Sequence, residues 1–180
     1  MRHCLTSPYT IQLILLCLVL GLWGCEKKCA EIQTRRIPFS HSFDLRLADT
    51  PFQAQLAVAP NEMEQGLMFC KELGHNQGML FVHRTGGQAK YWMRNVPIPL
   101  SIAFFDATGT LQEIHRMYPY EEKAVTSTSR SVQFALEMNA GWFREQGIGI
   151  GEQLDLDAVR SALQERGFDP HRYIDALATD

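Results

Sequence analysis

Gly78-Met79-Leu80-Phe81-Val82 is apolar on both of its alternating faces, the pattern of a strand covered above and below. Tyr91-Trp92-Met93 reads the same way, and Thr85-Gly86-Gly87 between them supplies the positive φ angles of a tight connection. Two central strands are therefore expected. Upstream, Phe43 to Leu47 and Phe52 to Val58 alternate apolar with polar residues, the period of half-buried strands, and Asp49-Thr50-Pro51 between them is turn chemistry. Downstream, Pro97 and Pro99 break the chain. Leu100 to Phe105 then gives another apolar strand, which Asp106-Ala107-Thr108-Gly109 turns into Thr110 to Tyr118, and Ser131 to Met138 supplies one more. Short strands at this spacing predict a mainly β, β-rich α+β fold: a compact antiparallel sandwich or jelly-roll-like barrel over residues 43–156.

Helices fill the gaps. Pro60 suits the first position of a short helix with Glu62 and Glu64 in its first turn and Met63 and Leu67 on one face. A helical turn is expected between Asn139-Ala140-Gly141 and Glu145. Asp157 is read as the cap of a helix that buries Val159, Ala162 and Leu163 and ends at Gly167, and Pro170 begins another with Tyr173 and Leu177. Residues 157–180 thus form a C-terminal helical appendage. The glycines of Gly147-Ile148-Gly149-Ile150-Gly151 match no dinucleotide or phosphate-loop spacing.

The N-terminus predicts export. Arg2 and His3 precede Ile11 to Trp23, which is almost wholly apolar and too short to span a bilayer, which takes about 20 apolar residues. Leu22-Trp23-Gly24-Cys25 resembles a lipobox, so residues 1–24 are read as a lipoprotein signal peptide and Cys25 as the lipid attachment point, carrying two or three acyl chains such as palmitate. Residues 25–42 read as a tether. The expected location is the periplasmic face of the inner or outer membrane, with membrane lipid as a partner through Cys25.

The full chain carries a net charge of −3, and losing Arg2 with the signal makes the mature chain one unit more negative. With no clustered basic face, nucleic acid is not an expected partner. After processing and lipidation only Cys29 and Cys70 remain as thiols, and the two either pair or stay inert; the position of Cys29 in the tether favours unpaired.

Three chemistries compete. Trp92-Met93-Arg94-Asn95 leaves a strand just before two prolines, where loops on a rigid scaffold commonly bind ligands, and with Glu137 and Asn139 it forms the candidate surface for a small ligand or protein. Asp106, Glu137 and His115 could in principle serve general acid and base work in a carboxylate-dependent hydrolase, against structural roles in turns and strand ends. Met63, Met68, Met79, Met93, Met117 and Met138 offer soft ligands for copper, although methionine is also a common filler of cores. The expectation is a binding module with no catalytic residues assigned, no cofactor and no metal.

Taken in order, Gly66-Leu67-Met68-Phe69, Gly78-Met79-Leu80-Phe81, Trp92-Met93-Arg94-Asn95, Ile98-Pro99-Leu100, Phe104-Phe105-Asp106, Gly109, Pro119, Leu136-Glu137-Met138-Asn139-Ala140-Gly141 and Gly151 resemble the domain-of-unknown-function family number 192. The resemblance spans Phe43 to Leu156 and implies a mostly antiparallel β fold, often exported, with no established activity. It also implies arginine, threonine and aspartate where this chain has Cys70, Val96 and Ser101, so any chemistry that used those three groups is lost here.

Overall fold

The computed structural model describes residues 37–174. Strands β1 (Ser42–Leu47), β2 (Thr50–Ala57), β3 (Gln77–Gly87), β5 (Leu100–Phe105), β6 (Leu111–Met117) and β8 (Val132–Asn139) form one sheet in the order β1-β2-β3-β8-β5-β6. A two-stranded sheet, β4 (Lys90–Tyr91) with β7 (Val125–Thr126), accompanies it. The class is mainly β, as the alternation requires. The large sheet is open rather than closed into a barrel, and one pair departs from the antiparallel expectation: β2 runs parallel to β3. Residues 58–76, with helix α1 (Pro60–Gln65), form the crossover that carries the chain back to the end where β2 began.

Both faces of the sheet are covered, which explains the unbroken apolar runs. On one face Leu80 and Val82 of β3, Ala103 and Phe105 of β5, and Phe134, Leu136 and Met138 of β8 pack with helices α2 (Trp142–Glu145) and α3 (Leu156–Glu165). On the other, Met79 and Phe81, Ile102 and Phe104, and Ala135 pack under Leu67, Met93, Val96 and the small sheet. Strands β3 and β8 approach so closely that a Cβ on Gly78 would collide with the Glu137 carbonyl and Met138 Sδ. Glycine is required there by space rather than by φ.

Four local expectations change. Thr85-Gly86-Gly87 continues β3 past an irregularity between Val82 and Gly87, because Gly87 still pairs with Val132. The Tyr91-Trp92-Met93 strand shrinks to Lys90–Tyr91, since the chain turns at Asn95, whose φ is 59°, and Trp92 is 44% exposed. Asp155, rather than Asp157, caps α3, its carboxylate accepting from the Asp157 and Ala158 N–H groups. The last residues of the expected tether pack on the domain: Ile37 lies against one core and Phe39 against the other.

Polar groups tie α1 to α3. Buried Glu62 accepts from the Val58 and Ala59 N–H groups at 3.0 Å each and pairs with buried Arg166, which also donates to the Leu56 carbonyl. Phe39 and Phe168 stack on the same guanidinium.

Candidate functional site

Alternation along β8 sends Leu136 and Met138 into the first core and Glu137 to the opposite face, beside Ala135. The strand is central, between β3 and β5, so Glu137 ends up 4% exposed. Its carboxylate makes no hydrogen bond or ion pair with any described residue. Burial pushes its pKa up to about 8, so the carboxyl is neutral at pH 7.

Glu137 lies at the bottom of a slot about 30 Å³ in volume. The walls include Phe81 of β3, Tyr91 of β4 and Val96; Met63, Glu64, Gln65, Met68, Trp92 and Arg94 lie around the rim. Arg94 stacks over the Trp92 ring at 5.6 Å. Tyr91 is hydrogen-bonded through its hydroxyl to His83 Nε2 at 2.8 Å. Burial, and then the nearby Glu137 charge, hold the Tyr91 phenol well above its ordinary value, and burial lowers the His83 imidazole, keeping it neutral. Phe81, Tyr91 and Phe104 form a row of ring contacts beneath.

Three loops frame the slot and are bonded to one another: Phe69 N–H to the Asn95 carbonyl at 2.7 Å, Tyr120 N–H to the Val96 carbonyl at 3.1 Å, and Met93 N–H to the Glu121 carbonyl at 2.8 Å. Phe69, Asn95 and Tyr120 all adopt left-handed φ, between 59° and 64°, without being glycine. Such conformations cost of order 1 kcal/mol or more each and gather where a surface is held in a fixed shape. These loops expose Phe69, Trp92, Tyr118 and Tyr120 to solvent.

Of the surface read from sequence, Trp92, Arg94 and Glu137 meet at this slot. Met93 is buried in the core beneath. Asn95 forms the turn, and the Asn139 amide donates to the Leu73 and Gly74 carbonyls, tying down the crossover. Sequence reading missed Tyr91 and His83. The available signal was the period of two in Met79, Phe81 and His83, which puts the imidazole on the slot side of β3.

The rival acid-base trio does not assemble. Asp106 accepts from Thr108 and Thr110 N–H groups, the Thr108 hydroxyl and the Gln112 amide, which closes its own turn. His115 pairs with Glu113 at 2.9 Å and is separated from Glu137 by the intervening Ile102 in the strand register. Glu113 is set by opposing effects: burial pushes its pKa up, but N–H groups of Ser129 and Thr128 and the His115 ring outweigh it and bring the carboxyl to about 2. Among the methionines, Met79, Met93 and Met117 lie in one core and Met138 in the other, across the sheet. Cys70 Sγ donates to the Glu72 carbonyl; Cys29, its possible partner by sequence, and Cys25 lie outside the described residues.

A larger cavity of about 500 Å³ opens beside β5, β6 and α2, near Ser101, His115, Arg116 and Arg144. Its buried polar side chain, Ser101, already accepts from the Gly141 N–H at 3.0 Å. The smaller slot holds a buried carboxyl with no hydrogen bond to any described residue.

The fold is shared by solved structures, two of which are similar as follows. One, from Sinorhizobium meliloti 1021 and described as a suggested transcription regulator, is 29% identical with a TM-score of 0.62, covering 67% of this chain and 96% of its own. The second, a protein of unknown function from Novosphingobium aromaticivorans DSM 12444, is 30% identical with a TM-score of 0.61, covering 67% of this chain and 90% of its own. No curated protein matches. Residues 43–156, the whole of the large sheet except the first residue of β1, match the family DUF192, described as "Uncharacterized ACR", and this chain belongs to that family.

Proposed function

We propose that this protein is a lipid-anchored binding module of the exported side, held to the membrane through Cys25, with its ligand entering the slot above Glu137. The observation that carries the binding half is a carboxyl 4% exposed, unpartnered among the described residues, at the base of a slot. Burying a polar group without a hydrogen bond costs on the order of 1–3 kcal/mol, which a fold tolerates where a ligand supplies the missing partner. The anchoring half rests on the lipobox-like Leu22-Trp23-Gly24-Cys25. No helix among the described residues is long and apolar enough to cross a membrane, so attachment falls to the N-terminal segment in this reading.

Each half has its own test. Cys25→Ala is expected to move the protein from the detergent phase to the aqueous phase and to abolish labelling by a fatty-acid analogue; unchanged partitioning sinks the anchor. For the site, small molecules released on denaturing the purified mature chain are compared with those released by Glu137→Gln. A compound carried by the first and missing from the second is expected, and identical sets refute the slot as the binding site.

A further inference from the structure

We infer that the slot takes a single organic cation, the ammonium or guanidinium end of a longer molecule, with Glu137 as its counter-ion and the aromatic rim around its stem. This rests on the slot being the binding site and adds the chemistry of what enters it.

Size is the first argument. A water needs roughly 10–15 Å³ of such volume, so about 30 Å³ admits two or so small groups and excludes a whole sugar or nucleotide. Only the tip of a ligand reaches Glu137. The lining is the second: Phe81, Tyr91 and Trp92 present rings and Met63 and Met68 thioethers, and none of these carries a positive charge that would compete with an incoming cation for Glu137. Trp92 already takes a guanidinium on its ring, that of Arg94, so the rim's affinity for such a group is visible within the molecule.

The charged groups facing Glu137 leave it to act alone. Glu64 of α1 and Arg94 of the turn after β4 are both exposed at the rim and of opposite sign, and His83 reaches the site only through Tyr91. Opposite Glu137 in the register stand Met79 on β3 and Ile102 on β5, both uncharged. No described side chain supplies a cation to the carboxylate, so an incoming one finds it vacant. The four aromatics on the bonded loops, Phe69, Trp92, Tyr118 and Tyr120, then give the rest of the ligand an apolar surface to lie on.

Protonation supplies a signature that a merely structural glutamate lacks. The buried carboxyl is protonated up to about pH 8 and must release its proton when a cation binds. Apparent affinity should therefore rise about tenfold per pH unit from pH 6 to 7 and level off above 8.

The full chain in detergent micelles is titrated with methylguanidinium chloride and with methylammonium chloride, against neutral N-methylurea and sodium chloride at equal ionic strength, following the Glu137 carboxyl carbon resonance. Saturable binding of one or both organic cations, strengthening with pH and lost in Glu137→Gln, is expected; which cation binds tighter separates an arginine-like from an amine ligand. Trp92→Leu, at an exposed position, should weaken cation binding several-fold while leaving the unfolding temperature in place. N-methylurea binding as tightly as the cations, or sodium reproducing their effect, overturns the cation and leaves the site standing. Absence of binding by every probe overturns both.

Discussion

Glu137 is apolar in its neighbours and polar in itself, and that mismatch has a measurable consequence for stability. Its folded-state pKa of about 8 lies above the ordinary carboxyl value near 4.5, so the folded chain binds the proton more tightly than the unfolded one. The stabilisation is fully present below about pH 4.5 and is lost as pH rises to 8. At 1.36 kcal/mol per unit, the loss across that window is on the order of 5 kcal/mol. Glu137→Gln, which mimics the protonated form, should match the wild type in urea unfolding at pH 5 and exceed it at pH 8.5. A wild type and variant that stay parallel across the range would falsify the picture of an unpartnered buried carboxyl. The sequence named Glu137 and Trp92 because a charged residue inside an apolar strand and an aromatic before two prolines are visible without coordinates. It did not reveal that they meet, because their approach depends on β4 folding over the face of β3.

Between elements, the Glu62–Arg166 pair fixes the crossover helix α1 against the end of α3. Removing one partner of a buried pair strands the other's charge, at about 3–5 kcal/mol. Arg166→Met should lower the urea midpoint accordingly, and Glu62→Gln in the same chain should restore most of it, because the amide oxygen can still accept from Val58 and Ala59. A double variant no more stable than Arg166→Met alone refutes the electrostatic account. Neither residue was singled out from sequence: Glu62 reads as an ordinary first-turn acid and Arg166 as a residue near a helix end, and only the long-range contact distinguishes them. The strands were legible because alternation carries its own period, and so was the C-terminal helix. The parallel β2–β3 pair was not, since pairing direction depends on where a connection returns and leaves no mark on the strand residues themselves. The short β4 was misread because an apolar run of three can be core, turn or rim with equal ease.

At the scale of the molecule, the domain begins before its first strand. Ile37 and Phe39 pack against the two cores on opposite faces of the sheet, and Phe39 stacks on Arg166 as well. A chain starting at Phe43 should therefore melt several degrees lower than one starting at Ile37, since a loss of 1 kcal/mol shifts a domain of this size by about 2–8 °C. Equal melting of the two shorter chains would show that the 37–42 segment contributes nothing.

The order of strands carries one more consequence, for the time at which the sheet exists at all. β8 is the last strand among the described residues and lies between β3 and β5, which do not pair with each other. As a ribosome or a translocation channel releases the polypeptide from its N-terminus, β1-β2-β3 and β5-β6 emerge as two separate ribbons with their inner edges unpaired. Neither ribbon can complete itself from local contacts, and the closing pairs are distant in sequence, which slows folding. Only when Val132–Asn139 arrives does one strand zip both edges together, and the same strand delivers Glu137. Until that moment the exposed edges are open to other chains, so this is the interval in which a chaperone would matter most.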